Sequence, residues 1–263
     1  MKTPIFAAAV FALAFSAPAH AIVVVNNTNA AALAAAIVGS GVTISNATLT
    51  GDAVLPSGLF TGGAGSVGFA DGIVLTTGTT ACVAGPNNAV GCTGGGTTTS
   101  LKFDFTSTSG SVFFKYVFGS EEYNEFVGSQ FNDSFQLLLN GNNIALVPGG
   151  GGVVTINNVN CGSNSAFFRN NTTSVGNCLN QGLDLQYDGL TTVLTAGATL
   201  LAGTNTFEFR VADVGDAALD SGVFIQAGSF SSTDPTVPEP GSLALMGLAL
   251  AGLAAARRRN AKI

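Results

Sequence analysis

The feature that most constrains this chain is a strand, an acidic loop and a second strand in residues 112–140, VFFKYVFGSEEYNEFVGSQFNDSFQLLLN. Val112, Phe114, Tyr116 and Phe118 fall on one face, and Phe113, Lys115 and Val117 on the other. A period of two in aromatic and β-branched residues predicts a strand. It stops at Gly119 and Ser120. Phe135, Leu137 and Leu139 then alternate with Ser134, Gln136 and Leu138, and Asn140-Gly141 is a favoured tight-turn pair. Between the strands lie Glu121, Glu122, Glu125 and Asp133. Carboxylates this close repel, so water, backbone N–H groups or a cation must compensate them.

The same texture runs along the chain. Residues 42–51, 72–77, 101–105, 144–147, 153–156, 190–194, 199–201, 207–211 and 222–230 read as further short strands. Glycine-rich stretches, 57–68 among them, read as surface loops. One exception is alanine-rich 30–38, with Asn26, Asn27, Thr28 and Asn29 before it as N-cap candidates and Leu33 and Ile37 one turn apart. It predicts a single short helix over one end of the sheets. Strands without alternating long helices point to an all-β fold, an antiparallel β-sandwich of jelly-roll type.

Both ends of the chain read as targeting. Met-Lys, an apolar run over 5–15 and Ala19-His20-Ala21 form a signal peptide, residues 1–21, cut after Ala21. At the other end, 232–240 is a polar, proline-containing linker. Apolar residues 241–256 follow it, then Arg257, Arg258 and Arg259. Sixteen residues are short for a permanent span of the roughly 30 Å hydrocarbon core, and the arginines favour the cytoplasmic side. The run predicts a hydrophobic helix that halts export in the inner membrane.

Processing at both ends changes the chemistry available. The only histidine, His20, leaves with the signal, which removes Ser/His/Asp and Cys/His mechanisms and His-ligated metals. Only Lys102, Lys115, Arg169 and Arg210 remain against fifteen Asp and Glu, a net charge of −11. Such a surface repels phosphate backbones, which argues against nucleic acid as a partner. Cys82, Cys92, Cys161 and Cys178 admit three pairings in an exported protein. Cys82–Cys92 and Cys161–Cys178 are preferred because each pair brackets a Gly- and Asn-rich loop; buried free thiols are the alternative.

A second acidic loop, VADVGDAALDSGVF, places Asp213, Asp216 and Asp220 at spacings of three and four. If it shares a rim with the first, Glu121, Glu122, Asp133, Asp213, Asp216 and Asp220 are candidate ligands for a structural Ca²⁺, which takes six to eight oxygens. The competing account is solvated turn carboxylates capping local N–H groups. An enzyme would have to rely on carboxylates alone, as glycoside hydrolases do, with Glu121, Glu122 and Glu208 as candidates. The absence of tryptophan weakens a sugar-stacking platform.

GSEEYNEF and FNDSF, with NIALVPG, YDGLTTVLTA and VADVGDAALDSGVFIQAGSF, resemble the bacterial choice-of-anchor L surface domain, here over 22–231. Pro238, Glu239 and Pro240, the apolar run and the arginines over 241–263 resemble the PEP-CTERM sorting signal. The resemblances imply a non-enzymatic structural or interaction protein, exported from a Gram-negative bacterium and processed by an exosortase. They place it at the cell surface or in the matrix of a biofilm or floc. Extracellular polysaccharide and other surface proteins are the expected partners. A calcium-dependent carbohydrate- or protein-binding adhesion module is the alternative.

Overall fold

A computed structural model describes residues 21–88, 95–172 and 178–234. Its strands are β1 (Val23–Asn26), β2 (Val42–Gly51), β3 (Ser57–Thr61), β4 (Asp71–Thr76), β5 (Thr98–Ser107), β6 (Ser111–Ser120), β7 (Ser134–Leu139), β8 (Asn142–Asn143), β9 (Phe168–Asn170), β10 (Gly189–Thr191), β11 (Leu194–Thr199), β12 (Asn205–Ala212) and β13 (Ser221–Gln226). They form two antiparallel sheets. One runs β1-β3-β4-β13-β6-β10-β9, with β11 also paired to β6; the other runs β2-β5-β12-β7-β8. The expected sandwich is present, with one helix, α1 (Ala30–Ile37), capped by Asn29 whose side chain accepts from the Ala32 N–H. The signal peptide, apart from Ala21, and the segment from 235 onward lie outside the described residues. No helix among the described residues is long and apolar enough to cross a membrane.

Strand alternation sets the core. Val112, Phe114, Tyr116 and Phe118 of β6 are all fully buried between the sheets, facing Phe103, Phe105, Phe135, Phe207 and Phe209. Phe114 meets Phe207 and Phe209 edge-on at 5.3 and 5.5 Å between ring centres, a favoured quadrupolar geometry. The eight-stranded sheet is also covered on its other face. There Val74, Val117 and Phe224 pack with Phe60, Leu185, Tyr187 and Leu190 in a second cluster. Burial on both faces explains why GIVLTT of β4 and SGVFI of β13 are continuously apolar or small. Helix α1 buries Leu33, Ala34 and Ile37 against the main core.

Three expectations need correction. Residues 57–68 are not a loop throughout: β3 pairs with β1 and β4 and buries Phe60. Its single aromatic between glycines gave too little alternation to register. Residues 144–147 and 153–156 are not regular strands. The Asn143 side chain accepts from the Leu137 and Ala145 N–H groups, standing in for ladder carbonyls, and only the isolated bridges Leu146↔Val153 and Ser134↔Thr155 form there. The strands expected at 190–194 and 199–201 are instead β10, which ends at Thr191, and β11, which runs from Leu194 to Thr199, both paired to β6.

Cys161 and Cys178 are disulfide-bonded, as preferred above. Cys92 lies outside the described residues, and with it the Cys82–Cys92 pairing. The Asn170 and Asn171 side chains are buried. Each donates to backbone carbonyls, Asn170 to Thr172 and Cys178 and Asn171 to Leu185 and Tyr187.

The strand directions give the domain two unlike poles. At one, the start of β6, Ser232 and Thr108 lie against Ser40 and Gly41, and the chain runs on toward residue 234. At the other, the ends of β6 and β12 open into the two acidic loops. Ten residues of β6 separate the poles, a span of roughly 30 Å.

Replacing Phe114 by alanine is expected to cost about 3–5 kcal/mol, the usual range for a buried aromatic. Val54→Ala, at a residue 77 % exposed, should change stability by less than about 0.5 kcal/mol. Urea unfolding midpoints for the two variants check the contrast.

Candidate functional site

The last register pairs of β6 with β13 are Gly119↔Gly222 and Ser120↔Ser221. The next residues outward are Glu121 and Asp220, and the Glu121 N–H donates to the Asp220 carbonyl at 3.0 Å. The first acidic loop therefore begins beside the end of the second, which meets the condition of a shared rim raised from the sequence. Asp133, at the start of β7, sits beneath them and is fully buried.

Asp133 is well supported. Its Oδ1 accepts from the Val214 N–H at 2.8 Å, and its Oδ2 from Ser221 Oγ at 2.7 Å and Ser120 Oγ at 3.4 Å. This one carboxylate ties the ends of β6, β7, β12 and β13 together. Burial still pushes its pKa up to about 6 against those three donors.

Glu122 and Asp213 are placed differently. They are 1 % and 6 % exposed, and Glu122 Oε2 and both Asp213 carboxylate oxygens have no hydrogen-bond partner among the described residues. Burial is the main cause that raises each pKa to about 8. Every charge acting on them is another carboxylate: Asp133, Asp216, Asp213 and Glu125 on Glu122, and Asp133, Asp216, Asp220 and Asp52 on Asp213. The four basic residues of the exported chain lie on β5, β6, β9 and β12, none in either acidic loop.

Glu121 and Asp220 are 4 % and 2 % exposed. The Asp220 carboxylate occupies the place where a Cβ on Gly78 would stand, so only glycine fits there. Gly78 carries no signal in the sequence beyond being one glycine of thirty-five. The hydroxyls that position this end were also not foreseen. Thr77 Oγ1 accepts from the Ser221 N–H at 2.9 Å, and Thr76 Oγ1 donates to the Ser221 carbonyl at 3.1 Å.

Thus five of the six candidate ligands are buried at one pole, and Asp216 is exposed over them. No set of three or more His, Cys, Asp or Glu side chains among the described residues is arranged to hold a metal ion. Glu208 is elsewhere: it lies mid-strand on β12, opposite Lys102, and accepts from Ser100 Oγ at 2.8 Å. Five residues separate it from Asp213, roughly 17 Å along the strand, so it does not meet Glu121 or Glu122. Tyr123 is core, its ring tilted against Phe168 at 4.8 Å between centres, while Phe126 and Phe131 pack edge to face within the loop.

The raised pKa values give a signed pH dependence. Between the ordinary values of 3.8 and 4.5 and the raised ones, the folded protein binds more protons than the unfolded chain. Stability from these groups is complete below about pH 4 and is lost as pH rises through 6 to 8. Asp52 and Asp104, held below their ordinary values mainly by hydrogen bonds, act only below that window. In EDTA, the melting temperature should therefore fall between pH 5 and pH 8.5. A flat profile by scanning calorimetry would contradict the burial of Glu122 and Asp213.

Two family models match the chain. The choice-of-anchor L domain matches residues 22–231, and the PEP-CTERM protein-sorting motif matches residues 236–259. No curated protein and no solved structure matches it. The sorting motif marks an exported surface protein processed by an exosortase.

Proposed function

This chain belongs to the choice-of-anchor L domain family, and we propose that it is a non-enzymatic display domain of the extracellular matrix whose acidic pole responds to calcium. In this reading the signal peptide exports it, and the apolar run 241–256 holds it briefly in the inner membrane of a Gram-negative cell. The exosortase cut near Pro238, Glu239 and Pro240 then frees the domain to associate with extracellular polysaccharide. The loss of His20 and the separation of Glu208 from Glu121 and Glu122 support a role without turnover.

One observation carries the calcium reading. Glu122 and Asp213 are buried among other carboxylates, with oxygens that no described group satisfies. Removing charge from water without compensation is costly. Two remedies exist, protons and cations. Above pH 8 protons no longer serve, and a hard, oxygen-seeking divalent cation does.

The same pole supports the adhesion reading. Exposed Asp216 and Glu125 lie over the buried acids, where a cation with open coordination positions would meet a sugar hydroxyl or a partner's carboxylate.

Calcium chloride against EDTA at pH 8 should raise the melting temperature by roughly 5–10 °C at about a hundredfold excess over Kd. Magnesium should raise it less, since it sheds water reluctantly. No shift with calcium would end the calcium reading. For the matrix role, a strain lacking the protein should retain less cell-bound polysaccharide, restored by the wild-type gene. Equal retention would remove that role.

A further inference from the structure

We infer that the six acidic candidates do not form one site: a single divalent cation sits between Glu122 and Asp213, beneath Asp216, while Glu121 and Asp220 form a separate pair on the opposite face of the sheet. This rests on the calcium reading above and specifies its ligands.

The division follows from strand alternation. Added Cβ atoms on Gly119 and Gly222 would both run into the Tyr187 side chain, so these positions face the outer cluster. Ser120 and Ser221, one residue on, turn their hydroxyls the other way, onto Asp133. One more step returns Glu121 and Asp220 to the Tyr187 side. Asp220 there fills the space before Gly78, and both carboxylates act on the Tyr187 hydroxyl; Asp220 also acts on Asp213, so it is the alternation and the Gly78 contact that assign its face.

Glu122 lies on the Asp133 side. Its N–H donates to Ser120 Oγ at 3.0 Å, and Asp133 acts on both Glu122 and Asp213. Within that group the oxygens also divide. Both Asp133 oxygens already accept hydrogen bonds, which suits a support rather than a ligand. Of these three acids, Glu122 Oε2 and both Asp213 oxygens are the buried atoms with no hydrogen-bond partner among the described residues. Two carboxylates balance one divalent charge. Water and backbone carbonyls would have to complete six to eight oxygens, because no three acidic side chains among the described residues are arranged to hold an ion.

Calorimetric titration of the processed, exported protein with calcium chloride tests the assignment. Wild type should take up one Ca²⁺ per chain. Glu122→Gln and Asp213→Asn should each weaken binding by about tenfold or more. In EDTA at pH 8 the same variants should melt no lower than wild type, because each removes a repelling charge while the fold persists. Glu121→Gln and Asp220→Asn should bind within about threefold of wild type. If Glu121→Gln does not fold, Asp220→Asn carries the same contrast. Two ions per chain, or loss of binding in a folded Glu121→Gln or Asp220→Asn protein, would overturn the division while leaving a calcium-responsive pole. No uptake by wild type would overturn the calcium reading itself.

Discussion

The antiparallel pairing of β6 with β13 is the contact on which the rest of this domain depends. Along its length it alternates between lining the main core with Tyr116, Phe118 and Val223 and supporting the outer cluster with Val117 and Phe224. At its end it delivers Glu121 and Asp220 into direct apposition. A hydrophobic register and an electrostatic conflict therefore come from the same ladder. Slipping that register by one residue would exchange the two faces and turn the core aromatics of β6 away from the main core, into the space the outer cluster fills.

The acidic pole is consequently a place where packing overrides charge. Asp133 shows what a compensated buried carboxylate looks like, with a backbone N–H and two hydroxyls turned toward it. Glu122 and Asp213 lack that support and have only like charges nearby. Local departures from good polar satisfaction are uncommon in native structures and concentrate at functional or strained sites. The hydroxyl pairs Ser120/Ser221 and Thr76/Thr77 hold the ends of β4, β6 and β13 in place, so the unsatisfied acids stand on a fixed frame.

Much of the architecture was legible because period-two alternation in aromatic residues is hard to mistake. The strands carrying Phe103 and Phe105, Phe114 and Tyr116, and Phe207 and Phe209 were readable from sequence for that reason. β3 was hidden because its context is glycine, and β8 was cut to two residues because the Asn143 side chain competes with the ladder. The acids themselves were conspicuous. Their partition between two faces was not, because it depends on the register of β6 against β13, which neither segment encodes alone. Gly78 escaped notice for the same reason: its role exists only once Asp220, far along the chain, is packed against it.

The described chain runs out beside Ser40 and Thr108, at the end of β6 remote from Asp133. β1 starts at that same end, since Val23 pairs with Thr61 and Thr61 with Asp71. The two termini of the described domain and its acidic pole thus lie at opposite ends of the sandwich. A change of sequence beyond residue 234 would therefore act at the opposite end of β6 from the carboxylates gathered about Asp133.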